Sequence, residues 1–325
     1  MSVVPASEPA RGDICKGAVC LNCGSARPTL WAEARDVEYL TSQAMFCYLY
    51  CAECGALSIA PRPQSLTEIY PKNYYSYAES GESFSTRAKA WLERRMFARI
   101  LCQIPGEKLS VLDVGGGSGW VLDVIRMADP RVSLTAVLDI EETAAATAVA
   151  HGHEFHCGRV EDFQPGRKFD LILLLNLIEH VEAPGLVLQK LSSLLSPAGI
   201  AVIKTPNYRS LDARIFRHRN WGGYHCPRHW VLYDQPSFAK AVNKAGLEVV
   251  SAAYTQGAPF WTVSVLAWLA DCGLVKISAE RPAYRHWLYQ PLVVFSAAFD
   301  FLRMPFMRTS QMFFQVRIRR DRELR

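Results

Sequence analysis

A continuous apolar run opens at residue 109 and ends in an acid and three glycines, L-S-V-L-D-V-G-G-G-S-G-W over 109–120. Such runs predict buried parallel strands. From Trp120 to Met127 the apolar residues resume at helical spacing, so the unit reads strand, glycine loop, helix. Further apolar runs lie at 132–138, within 169–181 and within 194–207, and segments 247–254 and 312–319 supply two last strands. Strands alternating with helices predict an α/β fold, a mainly parallel sheet flanked by helices.

The first hundred residues follow another pattern. Phe46, Tyr48 and Tyr50 alternate as in a strand, and Pro61-Arg62-Pro63 makes a stiff exit from that region. An aromatic stretch follows at 69–77, either a plug between modules or a segment near a ligand, then a small polar hinge at 78–86. A basic amphipathic helix is expected over 87–103, its arginines on a solvated face. Late in the chain, 258–306 holds two apolar stretches interrupted by Asp271 and Asp300, shorter than the ~20 residues that span a bilayer. They read as helices capping the substrate side. A sharper reading is a membrane-surface patch, motivated by Trp261, Trp268, Trp287 and the basic tail at 317–325.

The organisation expected is a disordered 1–14, a zinc-binding module at 15–60, a linker and helical lid at 61–103, and a catalytic domain at 104–325 with a helical insertion at 258–306. Composition changes little: half the residues are hydrophobic, 21% are charged and the net charge is +5. That charge carries no nucleic-acid claim. The first twelve residues hold no hydrophobic signal segment, so a cytoplasmic location is expected, with the apolar insertion allowing a place at the inner membrane face.

In a reducing compartment, patterned cysteines point to metal rather than disulfides. Cys20-Leu-Asn-Cys23 and Cys51-Ala-Glu-Cys54 are two C-x-x-C pairs, each followed by glycine. Two such knuckles close a tetrahedral structural Zn2+ site and leave no open position for zinc chemistry. The other six cysteines look like plain thiols.

The glycine loop lacks a terminal lysine followed by Ser or Thr, which disfavours a triphosphate grip, and its spacing differs from G-x-G-x-x-G. Asp113 precedes the glycines, and Asp139 ends the next apolar run where an acid grips ribose hydroxyls. Two acids around a nucleoside suit S-adenosylmethionine, whose amino and sulfonium groups are cationic.

The block V-L-D-V-G-G-G-S-G resembles motif I of class I S-adenosylmethionine-dependent methyltransferases. G-R-V-E-D at 158–162 resembles their adenine-side motif, and F-D-L-I-L-L-L-N-L-I-E-H-V at 169–181 their fourth strand, with the ending seen in ubiquinone-pathway O-methyltransferases. L-L-S-P-A-G-I-A-V-I-K-T-P-N at 194–207 resembles the following loop and fifth strand. The departures are Gly116, where cysteine is usual, and Ala198, where glycine is usual. The resemblance implies a Rossmann-like seven-stranded sheet with one antiparallel strand. It implies cofactor contacts from Asp113, Gly115, Gly117, Gly119, Asp139 and Asn176, with Glu161 and Asp162 on the adenine side.

Methyl transfer needs an aligned nucleophile and, for a hydroxyl, a base, for which neutral histidine is the usual choice. Glu179-His180 follows the fourth strand; His180 is either a base or acceptor-orienting group, or shapes the loop beside the cofactor. The segment W-G-G-Y-H-C-P-R-H-W at 221–230 resembles a P-R-H segment of bacterial surface-polysaccharide methyltransferases and an E-H-F segment of deoxysugar C-methyltransferases that carry a four-cysteine module. That similarity makes His229 the preferred base, with a buried, backbone-bonded histidine as the competing reading. Tyr224 and His225 are weaker candidates for acceptor contacts, and Arg228 is a candidate phosphate partner. Metal binding by His225, Cys226 and His229 is disfavoured by the proline among them.

The function expected is methyl transfer to a small-molecule acceptor, a nucleotide- or lipid-linked sugar, with a quinone or phenol as the alternative. An RNA modifier stays open through the zinc module, but Lys16, Arg27 and Arg35 are too few for a nucleic-acid footprint, so none is expected. A cofactor-binding protein without turnover also stays open.

Overall fold

The computed structural model describes residues 17–64, 69–70 and 84–319, with side chains from residue 90 onward in the helix that begins at Phe84. The expected disordered start, Cys15, the aromatic stretch beyond Tyr70, residues 78–83 of the hinge expected at 78–86 and residues 320–325 of the basic tail lie outside the described residues, while residues 84–86 of that hinge are helical. The chain divides into two compact units: the first takes in 1–72, 207–234 and 256–310, the second 73–206, 235–255 and 311–325.

The second unit is built on a seven-stranded sheet. In chain order its strands are β4 (Leu109–Val114), β5 (Val132–Asp139), β6 (Glu154–Cys157), β7 (Phe169–Leu175), β8 (Leu195–Pro206), β10 (Leu247–Thr255) and β11 (Gln311–Ile318). Their spatial order is β10-β11-β8-β7-β4-β5-β6. Neighbours from β8 to β6 run parallel, while β11 is antiparallel to both β8 and β10. This is the seven-stranded α/β sheet the resemblance implied. Covering both faces of a parallel sheet demands near-continuous apolar strands. Leu171 to Leu174 accordingly show no exposure.

The flanking helices each turn an apolar stripe toward the sheet. Helix α1 (Phe84–Leu101) buries Phe97, Ile100 and Leu101 and leaves Arg94, Arg95 and Arg99 in solvent, as its basic pattern predicts. Helix α2 (Trp120–Ala128) buries Leu122, Val124 and Ile125. Helix α4 (Pro184–Leu194), after the short α3 (Ala145–Ala150), begins at a proline suited to a first helical turn and buries Val187, Leu188, Leu191 and Leu194. Helix α6 (Gln235–Lys244) packs beside β10.

In the first unit β1 (Thr29–Ala34), β2 (Phe46–Tyr50) and β3 (Leu57–Ala60) form an antiparallel meander. A two-residue strand, β9 (Val231–Leu232), adds to β3 from far along the chain. Helices α5 (Leu211–Ile215), α7 (Ala258–Asp271) and α8 (Tyr289–Arg303) complete the unit. Its core is aromatic, with Tyr48, Tyr208, Trp221 and Tyr224 almost wholly buried. The helices expected as an insertion at 258–306 therefore belong to the unit that carries the cysteine strands. Cys47, expected to be a plain thiol, is disulfide-bonded.

Candidate functional site

The carboxyl ends of the parallel strands bring the predicted cofactor residues of the second unit together. Gly115 N–H donates to Leu138 O at 2.8 Å and Gly158 N–H to Asp139 O at 2.9 Å, tying the loops after β4 and β6 to the end of β5. Asp113, on the last turn of β4, is 3% exposed. Gly116 is fixed by close approach: a Cβ there would lie 2.7 Å from the Asp113 carboxyl carbon. Glycine is thus required where the similar family usually carries cysteine, given this placement of the Asp113 side chain. Burial, with Asp139 adding like-charge repulsion, pushes the Asp113 carboxyl up to about 8. A buried carboxyl beside a second acid is stabilised in its ionised form by a cation.

Asp139 is held ready by backbone. Its Oδ2 accepts from Gly117 N–H at 2.9 Å and its Oδ1 from Glu141 N–H at 2.9 Å. Each oxygen keeps a second lone pair with which to accept a hydroxyl. Glu161 and Asp162 lie on a 3-10 turn, Val160–Asp162, and Glu161 pairs with Arg159 at 3.1 Å. Asn176 stands exposed at the end of β7 with φ of 57°, its N–H donating to Lys204 O at 2.8 Å. Gly119 opens α2 beside His153, which accompanies Thr135 in a 2.8 Å contact. The residues fit an adenosyl ligand with cationic groups: a desolvated acid, a positioned ribose acceptor and a loop stripped of Cβ atoms.

After β7, Ile178–His180 forms a 3-10 turn. Glu179 is fully buried, accepts from Thr205 Oγ1 at 3.0 Å, and is pushed up to about 8 by burial. His180 beside it is half-buried.

The segment 221–230 belongs to the first unit and is pinned in place. Trp221 Nε1 donates to Asp212 at 2.7 Å, and Tyr224 stacks on Tyr48 at 4.3 Å. The Tyr48 hydroxyl contacts the carbonyls of Tyr224 at 2.8 Å and His229 at 2.9 Å. His229 Nδ1 lies 2.8 Å from Gly223 O. A carbonyl can only accept, so Nδ1 carries the proton and the neutral ring bears its lone pair on Nε2. That tautomer suits a base and equally a backbone-bonded core histidine. The Tyr224 hydroxyl donates to Arg217 O at 3.2 Å, and burial pushes its acidity well away from neutrality.

Arg228, the candidate phosphate partner, is engaged with an acid of its own unit. It is fully buried, donating to Asp36 at 3.0 Å and to Thr41 Oγ1 at 3.0 Å, with its guanidinium 4.6 Å from the Tyr39 ring centre. Burial opposes the Asp36 charge, but Arg228 and several hydrogen bonds outweigh it and hold that carboxyl below its usual range. His225 Nδ1 likewise meets Glu38 Oε2 at 2.5 Å. These two acids were missed in the sequence, where they look like ordinary surface carboxylates and their partners lie far along the chain.

The four patterned cysteines converge. Their sulfurs lie within 4.8 Å of one another, with Cys20–Cys54 at 3.6 Å and Cys23–Cys51 at 3.5 Å. A tetrahedral zinc with bonds of about 2.3 Å needs sulfurs roughly 3.8 Å apart. The two knuckles are built alike: Gly24 N–H donates to Cys20 O and Gly55 N–H to Cys51 O, each at 2.8 Å. Both glycines adopt left-handed backbone, φ 78° and 79°, which any Cβ would strain.

Residues 84–252 match the methyltransferase-domain family. The fold and the glycine loop define the same class, and the chain belongs to the class I S-adenosylmethionine-dependent methyltransferases. The ubiquinone biosynthesis O-methyltransferase of Bradyrhizobium diazoefficiens is 28% identical over 122 residues, covering 36% of this chain and 43% of that protein. The enzyme of the same name from Rhodopseudomonas palustris is 30% identical over 125 residues, covering 36% and 43%. The chain thus spans less than half the length of these curated relatives. Among solved structures, coclaurine N-methyltransferase bound to N-methylheliamine and SAH is similar with a TM-score of 0.49 at 14% identity, covering 74% of this chain and 75% of that one.

Proposed function

We propose that the protein transfers a methyl group from S-adenosylmethionine to a small-molecule acceptor. The observation that carries this reading is the buried Asp113 beside Asp139 around a loop that only glycine fits. When bound, the cofactor supplies an electrophilic methyl on a sulfonium. The chain's own residues then hold it: Asp113 answers its positive charge, Asp139 accepts from the ribose, and Glu161, Asp162 and Asn176 line the adjoining loops. His229 is assigned as the base that takes the acceptor's proton, with Glu179-His180 and Tyr224 orienting the acceptor. The cysteine cluster holds one structural zinc.

For the acceptor we favour a nucleotide- or lipid-linked sugar, supported by the similarity of 221–230 to surface-polysaccharide methyltransferases. With Arg228 committed to Asp36, recognition of a phosphate falls to other groups. A phenol or quinone precursor is the second reading, favoured by the names of the relatives. A screen of activated sugars and phenols, coupled to detection of S-adenosylhomocysteine, separates them. His229→Ala should abolish turnover while calorimetry finds cofactor affinity unchanged. Cofactor binding with no turnover on any acceptor would leave only a binding protein.

A further inference from the structure

Helix α8 is inside out. Its buried residues are the polar Ser296 and Asp300. Asp300 accepts from Gly257 N–H at 2.9 Å, Arg303 at 3.0 Å and Ser310 Oγ at 3.2 Å, which satisfies its burial. Its outward face is apolar: Phe295 is 70% exposed and Leu302 73%. Pro291, Val294, Phe295, Ala298 and Leu302 are all exposed and recur at helical spacing, so they form one stripe, and the exposed Trp287 lies in the turn that leads into the helix. Beyond the helix the stripe continues into Phe306, 86% exposed, and Met307. A helix of a water-soluble domain ordinarily turns such residues inward, and a contiguous apolar surface of this kind marks a contact site.

The charge bordering this face indicates its partner. Lys276, Arg281, Arg285 and Arg308 are exposed in the segments entering and leaving the helix. Between residues 272 and 310 the acids are Glu280 and Asp300, and Asp300 is buried. A second copy would set this basic rim against itself. No described helix is long and apolar enough to cross a membrane. We propose that this face lies on an anionic phospholipid bilayer, with α8 in the headgroup plane, its Trp and Phe side chains at the acyl boundary and the arginines among the phosphates. The inference stands independently of the acceptor assigned above.

The test is flotation of the full chain with phosphatidylcholine vesicles and with vesicles in which roughly a third of the lipid is phosphatidylglycerol. Binding is expected to the anionic vesicles and to weaken with salt. Phe295→Glu with Leu302→Glu, and separately Arg285→Glu with Arg308→Glu, should each lower the bound fraction on the order of tenfold. All four side chains are exposed, so the melting temperature should hold, which separates lost binding from lost folding. Wild-type failure to bind either vesicle overturns the proposal, as does undiminished binding by the Phe295/Leu302 variant. A wild-type dimer that the same variant disperses, without vesicle binding, would assign the face to self-association and also overturn it.

Discussion

Asp113→Asn should make the cofactor-free protein more stable while crippling its ligand affinity. The carboxyl is driven from 3.8 to about 8 by burial and by Asp139. At pH 7 the folded group is still mostly protonated, whereas the unfolded one is ionised. At about 1.4 kcal/mol per unit, that difference opposes folding by ~4 kcal/mol as an upper bound. The folded state binds the extra proton, so stability is highest below the unfolded value and falls as pH rises from about 4 to about 8. An amide of the same shape cannot ionise and removes this loss. The variant should therefore melt at least a few degrees higher at pH 7, by the usual ~2–4 °C per kcal/mol, and match the wild type near pH 4. Its affinity for S-adenosylmethionine should fall roughly ten- to a hundredfold, the worth of one charged hydrogen bond. Wild-type affinity should climb as pH rises through about 8, because the cation prefers the ionised carboxyl. Calorimetric melts and titrations across that range decide the matter. A variant that melts at or below the wild type at every pH, or binds equally well, refutes the electrostatic account of the site.

Asp139→Ala should weaken cofactor binding and loosen the glycine loop, since its carboxylate anchors both Gly117 and Glu141; unchanged affinity in calorimetry would remove it from the ribose site. Metal analysis of the purified chain should find one zinc per molecule, and chelation should lower the melting temperature; a metal-free chain of equal stability would count against the cysteine site. Arg228→Ala should cost about 3–5 kcal/mol of stability, because it strands the buried Asp36 charge. A stably folded Arg228 variant with only a raised KM would instead restore the phosphate-binding role.

The parts of this molecule that local chemistry specifies were legible. Apolar runs announced β4, β5, β7 and β8, because strands covered on both faces are mostly apolar. The cysteine knuckles and the glycine loop were legible for the same reason: their spacing is fixed within a few residues. What escaped was non-local. Strand β9 spans two residues, too few to carry a period, and its partner is β3. Asp36 and Glu38 gave no sign of burial, because their partners Arg228 and His225 lie far along the chain. Asp300 read as an interruption of an apolar stretch, although its burial is what orients α8.

The pairing of Ser58 with Val231 sets a timetable for synthesis. When β1 to β3 leave the ribosome, the outer edge of β3 has no neighbour and must wait until the nascent chain has grown past β9. The eventual closure is not prohibitive, since each doubling of a loop costs only about 0.6 kcal/mol. The waiting is the hazard, because a bare strand edge invites other chains. An ion captured early by the knuckles would hold the meander together through that interval, so zinc starvation should show first as aggregation of newly made protein rather than as loss from mature molecules.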